Sequence, residues 1–217
     1  MVGIAWDWDQ ACKELVAADP ALTPVLAATP APVFREADPL EHLVRSVCAQ
    51  QLSVKAASTI EGRLRAACGG KVSAPALAAL SEPEMRSAGL SRAKARTLSA
   101  LAHAGLEGTL AAQTLGGLSD AEVLHRLCAL PGIGPWTAEV FLLFALHRPD
   151  VLPAADLGLR DAAARLQGNA PGPLTTAELR RLGEAWRPWR STVAIGLWAW
   201  RRTTATPLQS RTISKPS

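Results

Sequence analysis

Apolar positions along this chain recur at helical spacing, and the strict alternation that marks a half-buried strand is scarce. Alanine and leucine dominate, and start signals recur at the polar positions between apolar stretches. Asp38-Pro39-x-Glu41 offers an N-cap, a proline in the first helical position and an acid in the first turn. Ser81-x-x-Glu84, Ser119-x-x-Glu122 and Thr175-x-x-Glu178 are capping boxes, and Ser91 can cap one more helix. Gly69-Gly70, Gly89, Gly105, Gly132 and Gly168 read as stops. The pattern predicts helices near Gln10–Ala18, Leu22–Ala28, Pro39–Ser53, Lys55–Cys68, Ala74–Leu80, Glu82–Ala88, Arg92–Ala104, Asp120–Ala129, Pro135–His147, Leu157–Leu166, Ala177–Trp186 and Ser191–Arg202, with some neighbours expected to merge. Residues 148–155 read as a proline-containing loop, and 204–217 as a polar tail without periodicity. The expected fold class is all-α.

Composition narrows the classes. With 217 residues and 48% hydrophobic content the chain can bury a core, which excludes wholesale disorder. Its apolar runs, Val140–Leu146 and Val193–Trp200, fall far short of the ~20 residues a bilayer span needs, so no membrane partner is expected. The first residues lack the basic and apolar regions of a secretory signal, and the reading is cytoplasmic. Cys12, Cys48, Cys68 and Cys128 are spaced too widely for a zinc or iron–sulfur site and read as reduced core residues. A net charge of +4 permits a polyanionic partner without requiring one. Of the 23 basic residues 18 are arginines, which suit bidentate phosphate contacts better than lysines do. Nothing in the sequence signals an oligomer interface, so a monomer is expected.

The most informative segment is Leu130-Pro131-Gly132-Ile133-Gly134-Pro135-Trp136-Thr137-Ala138, which lies between two strong helical patterns. A G-x-G turn there leaves backbone amides uncovered, and the free amides at the start of the second helix point into the same turn. Together they suit a phosphate. A plain helix–turn–helix with glycine caps is the competing reading for a bare G-x-G. Asp156 stands at a predicted helix start after the loop, where it can project into a cleft or simply cap the helix, or do both. Asp150 and Asp161 are the competing acids and read as surface charges on a loop tip and a solvated helix face. Ser91, Arg92 and Lys94, at another helix start, could contact a second phosphate or form an ordinary capped helix.

The nine-residue string from Leu130 to Ala138 resembles the helix-hairpin-helix motif of DNA glycosylases, and Asp156, twenty residues after Trp136, is similar to the catalytic aspartate of that superfamily. Val47-Cys48-Ala49-Gln50-Gln51-Leu52-Ser53-Val54-Lys55, Gly89-Leu90-Ser91-Arg92-Ala93-Lys94-Ala95 and Trp186-Arg187-Pro188-Trp189-Arg190-Ser191 are further matches. The set resembles the 3-methyladenine DNA glycosylase II (AlkA-type) family, from about residue 36 to 202.

That resemblance implies two helical lobes with the active-site cleft between them. One would comprise residues 37–147, including the helix-hairpin-helix at 119–147; the other would join residues 1–36 to 148–203. It implies a monofunctional glycosylase that flips an alkylated base, of 3-methyladenine or 7-methylguanine type, out of duplex DNA and hydrolyses its N-glycosidic bond. Asp156 would be catalytic. Trp136 and Trp198 would line the base pocket, where a cationic base gains a cation–π contact of about 0.5–2 kcal/mol. Trp186, Trp189 and Trp200 are better read as packing aromatics. Gln51, with Leu52 beside it, would be the wedge that fills the duplex; a buried glutamine satisfying backbone groups is the competing reading. Gly132, Ile133, Gly134 and Thr137 would hold a phosphate. No cofactor is required, but the family implies a candidate Na+ or K+ site on the hairpin carbonyls of Leu130 and Ile133. Bifunctional relatives carry a lysine at the position of Trp136, and no lysine lies between Lys94 and Lys215, so no strand cleavage is expected. The rivals are a same-fold enzyme acting on an oxidised or mismatched base and a non-catalytic DNA-binding module.

Overall fold

The computed structural model describes residues 6–34, 38–168 and 172–204. Residues 205–217, most of the expected tail, and 35–37, where one expected lobe boundary falls, lie outside these. The described residues contain helices and no strand. In chain order they are α1 (Trp8–Ala18), a 3-10 turn (Pro20–Leu22), α2 (Thr23–Ala27), α3 (Pro39–Ala49), α4 (Val54–Ala67), α5 (Ala74–Ala78), α6 (Glu82–Ser87), α7 (Arg92–Leu106), α8 (Ala112–Gly116), α9 (Asp120–Cys128), α10 (Pro135–Phe144), α11 (Leu157–Leu166), α12 (Thr176–Leu182), a second 3-10 turn (Gly183–Trp186) and α13 (Arg190–Thr204).

The caps work as the side chains dictate. Asp38, Ser81, Ser91, Ser119 and Thr175 each accept from the backbone N–H three residues on, and the boxes at Ser81, Ser119 and Thr175 are closed reciprocally by Glu84, Glu122 and Glu178. α8 was invisible in the sequence because Ala111 supplies no capping side chain. α3 is shorter than expected. It stops at Ala49, and the Lys94 ammonium takes the carbonyls of Cys48 and Gln50 at 3.0 and 2.8 Å, satisfying acceptors at the helix end. Gly105 is not a stop. It lies inside α7, where a Cβ would meet the Cβ of Ala74 at 2.8 Å, so its role is to let α7 approach α5. Cys128 is exposed rather than part of the core, and all four cysteines are free thiols.

The helices sort into two packing groups. α3 to α10 pack mainly among themselves, with α7 at the centre against α3, α5 and α6. α1, α2, α11, α12 and the 3-10 turns gather round α13. Indole donors fasten the second group: Trp6 Nε1 reaches Thr192 Oγ1 at 2.9 Å, and Trp186, fully buried, donates to Asp19 at 2.9 Å. One apolar core runs through both groups, and Phe34, Phe144 and Trp198 form an aromatic run between them, with Phe144 stacked on Trp198 at 5.8 Å. α10 and α13 thus face each other across a cleft.

Candidate active site

Asp156 sits at the junction of these groups. Residues 151–154 are buried, and Ser191 ties the loop down by donating to the Arg148 carbonyl at 2.6 Å and accepting from Val151 N–H at 3.0 Å. The chain then emerges at Asp156, the N-cap of α11, whose Oδ1 accepts from Leu159 N–H at 2.8 Å. The capping role proposed for this residue is therefore real, and it leaves the carboxylate in the cleft. Trp136 Nε1 donates to Oδ2 at 3.0 Å and Trp198 Nε1 to Oδ1 at 3.0 Å. Three neutral N–H groups thus fix the carboxylate, and it makes no ion pair among the described residues. Gly158 keeps this corner clear: a Cβ there would lie 3.0 Å from Asp156 Oδ1, so the carboxylate would have to give by a few tenths of an ångström.

A cavity of about 410 Å3 opens beside the carboxylate, walled by Trp136, Val140, Phe144, Ile195 and Trp198, with Pro32 and the exposed Arg202 completing it. Trp136 and Val140 also line a second cavity of about 480 Å3, which runs past His42, Arg45 and Gln50 to Gln51. Burial pushes the His42 imidazole down to about 4, helped by the Arg45 guanidinium and by His147, so its ring is neutral near pH 7.

The hairpin joins α9 to α10. Gly132 has φ +80°, and a Cβ there would fall 2.1 Å from Thr97 Oγ1, so the turn can lie on α7 only with glycine in place. Gly134 differs: nothing in the fold lies within 4 Å of a Cβ built on it, and it caps α10 with no side-chain hydrogen bond. Its glycine leaves the start of α10 open to a group from outside. The first intrahelical bond of α10 is Ala138 N–H to Gly134 O at 3.1 Å, so the Trp136 and Thr137 amides precede the ladder. Residues 44–188 match the HhH-GPD superfamily of base excision DNA repair proteins. The chain belongs to that superfamily.

Individual HhH-GPD relatives agree with this. The chain is 38% identical over 199 residues to a Mycobacterium tuberculosis protein named probable bifunctional transcriptional activator/DNA repair enzyme AlkA, a match covering 87% of this chain and 39% of that protein. It thus spans about two fifths of that relative's length. It is 34% identical over 164 residues to DNA-3-methyladenine glycosylase 1 of Schizosaccharomyces pombe, covering 74% of this chain and 72% of that one. Among solved structures, the S. pombe 3-methyladenine DNA glycosylase in complex with abasic DNA superposes with a TM-score of 0.79 at 30% identity, covering 87% of this chain and 95% of that one. A DNA-3-methyladenine glycosidase from Bacillus halodurans gives 0.79 at 34% identity, covering 89% of each.

Within this HhH-GPD fold the other sequence candidates separate. The satisfying role considered for Gln51 belongs instead to its neighbour. Gln50 is the satisfier: its Nε2 donates to Gly132 O at 3.3 Å and approaches Thr137 Oγ1 at 3.5 Å, bracing the hairpin. Gln51 is exposed and held at φ +58°, a conformation that costs a non-glycine residue of order 1 kcal/mol and marks functional loops. Leu52 beside it is 41% exposed and Val54 88%, so an apolar tip projects from the molecule.

Burial and pairing narrow some of the remaining expectations and correct others. Thr137 is buried, so a phosphate could meet its amide but not its hydroxyl, and Ile133 is buried as the hairpin's apolar anchor. Lys94 is not free for a phosphate, because its ammonium closes the end of α3. Ser91 and Arg92 show the ordinary capped helix: Ser91 Oγ accepts from Lys94 N–H, and Arg92 pairs with Glu82 at 3.1 Å. Asp150 is no bare surface charge, since Arg190 and Arg187 hold it at 2.6 and 2.8 Å; Asp161 likewise pairs with Arg201 at 3.0 Å and Arg165 at 3.1 Å.

Proposed function

We propose that this chain is a monofunctional DNA glycosylase of base excision repair. It flips an alkylated base of 3-methyladenine or 7-methylguanine type out of duplex DNA and hydrolyses its N-glycosidic bond, leaving an abasic site and an uncut strand. The observation that carries this reading is the Asp156 carboxylate, aimed by two indole N–H groups into an aromatic cavity large enough for a base. As the C1′–N bond breaks, positive charge develops on the sugar, and a fixed carboxylate stabilises it. The bond's electron pair leaves with the base. A water oxygen bonds to C1′ and gives its proton to Asp156. The faces of Trp136, Phe144 and Trp198 suit a flat cationic base.

The remaining roles follow from position. Gln51, raised at φ +58° beside the cavity, fills the space the base vacates, with Leu52 against its neighbours. The Gly134, Trp136 and Thr137 amides take a backbone phosphate. Trp136 occupies the place of the amine nucleophile of bifunctional relatives, which supports hydrolysis without lyase chemistry. The hairpin carbonyls fit a monovalent cation: among the described residues Leu130 O accepts only from Ile133 N–H, at 3.2 Å, and no side chain bonds the Ile133 carbonyl. Such an ion would supply charge for the same phosphate. No helix among the described residues is long and apolar enough to cross a membrane.

The test uses methylated duplex DNA, with released bases identified by chromatography and strand breaks scored before and after alkali. Wild-type protein should release alkylpurines, Asp156→Asn should not, and breaks should need alkali. Salt-sensitive DNA binding with no base released from any lesion would leave a binding module instead.

A further inference from the structure

The cavity at Asp156 holds a second charged side chain, and no described residue forms an ion pair with it. Arg201 and Arg202 end α13 together, but their surroundings differ. Arg201 is tied to Asp161 at 3.0 Å, whereas Arg202 lines the cavity and has no ion pair or hydrogen bond among the described residues. It lies four residues beyond Trp198, so both belong to one face of the helix. Asp156 forms no ion pair with it; the carboxylate oxygens take indole and amide donors instead. The favourable place of a cation at a helix C-terminus explains both arginines and so does not explain why one of them faces the cavity.

Resting on the glycosylase reading above, we infer that Arg202 is a leaving-group residue, whose guanidinium accepts the charge that the departing base acquires and so admits neutral purine lesions to this site. Whichever base departs, the C1′–N bond breaks heterolytically, the electron pair goes to the base nitrogen, and water supplies oxygen to C1′ and a proton to Asp156. An N-alkylated purine starts cationic and leaves neutral. An uncharged purine leaves as an anion and takes its proton from solvent afterwards. The guanidinium, permanently charged, hydrogen-bonds the second kind of leaving group at its ring nitrogens or carbonyl oxygen, and it repels the first. Apolar walls strengthen both effects. Arg202 therefore trades affinity for cationic bases against the ability to expel uncharged ones.

The test compares kcat/KM, which measures the transition state against free DNA, on duplexes carrying one 7-methylguanine or one hypoxanthine. Wild type should release both. Arg202→Ala should lower the hypoxanthine value about ten- to hundredfold, the range for a charge-assisted hydrogen bond. It should raise the 7-methylguanine value about twofold, as expected for relief of a partly screened repulsion. Arg202→Lys keeps the charge and should keep most of the hypoxanthine activity. Equal losses on both substrates, with a shallower salt dependence of abasic-DNA binding, would mean a phosphate contact and overturn the proposal. Unchanged values in Arg202→Ala overturn it too, as does a wild type that releases 7-methylguanine and never hypoxanthine; in both cases the glycosylase reading stands. Release of neither base removes the glycosylase reading and the inference with it.

Discussion

Two aspartates six residues apart in one loop meet opposite fates. Asp150 is gripped by cations: Arg190 forks onto both carboxylate oxygens and the Asp150 carbonyl, and Arg187 adds a fourth contact. Asp156 is gripped by dipoles: two indoles and one amide, none of them charged. A carboxylate neutralised by guanidinium groups makes a good anchor and a poor stabiliser of a new cation. A carboxylate held by neutral donors is just as fixed, and it still offers its whole charge to whatever positive centre develops in the cavity. The loop therefore separates two jobs that one ion-paired residue could not do together. Asp150 fixes where the loop starts, and the proposed chemistry falls to Asp156 where it ends.

The sharpest way to break this comparison is at its charged, unpaired end. Asp156→Asn keeps the N-cap, since asparagine caps helices as well as aspartate does, and it removes the charge. Single-turnover base release should fall about a thousandfold or more, with the melting temperature nearly unchanged. A variant that releases bases within about tenfold of wild type would assign the charge elsewhere. At the other end, Arg190→Ala strands the Asp150 carboxylate, leaving Arg187 alone to face it. Urea unfolding should show a loss of about 3 kcal/mol, the scale for breaking a mostly buried pair. Base release per folded molecule should fall far less than in Asp156→Asn. If the two variants lose stability and activity in equal measure, the division of labour is wrong.

Much of this loop was legible in the sequence, and the limits are instructive. The hairpin, Asp156, Trp136 and Trp198 could be named because local features mark them: a G-x-G turn, a helix start and a matching motif. The fate of Asp150 was misread because its partners lie some forty residues away, and nothing near it in sequence signals them. Lys94 was misread for the same reason, its carbonyl acceptors being forty-four and forty-six residues distant. Gly105 and Gly158 show a related blindness. Glycine at a turn has a local signature, but glycine favoured by the closeness of a neighbour's Cβ or carboxylate can be recognised only after the chain has folded. The pair Gln50-Gln51 is ambiguous in sequence because its two residues differ in φ, not in chemistry.

The dipolar grip itself can be weakened while the ring face is kept. Trp198→Phe retains an aromatic surface against Phe144 and the base but loses the N–H on Asp156 Oδ1. A hydrogen bond to a charged acceptor contributes about 1.5–2 kcal/mol, so kcat should fall about ten- to thirtyfold with KM nearly constant. Trp198→Ala, which also removes the stacking face, should raise KM as well. A Trp198→Phe enzyme with wild-type kcat would reduce the indole to a wall of the pocket.

The smallest effect concerns Glu139, on α10 three residues beyond Trp136, where it lines a polar cavity with Asp150, Arg180 and Arg190. Burial pushes its carboxyl up to about 7, against the pull of Arg180 and Arg190. Between its ordinary value near 4.5 and about 7 the folded protein holds a proton that the unfolded chain has released, so this group's contribution to stability is lost as pH rises through that window. His42 works the other way. Held down to about 4, it leaves the folded protein short of a proton that the unfolded chain binds below about 6.5, so stability falls on acidification. In the range where the two windows overlap, the slopes oppose each other. Glu139→Gln cannot ionise and should remove one of them. The variant should match wild type near pH 4.5 and exceed it by about 1 kcal/mol near pH 8, a figure already reduced for the residue's partial exposure. Between those limits the His42 slope should stand alone, steeper than in wild type. Thermal unfolding across that pH range, read for both proteins, would contradict this if the difference between them stayed constant. That result would mean the carboxyl ionises in the folded protein as it does in the unfolded chain, and that Arg180 and Arg190 neutralise Glu139 as Arg187 and Arg190 do Asp150.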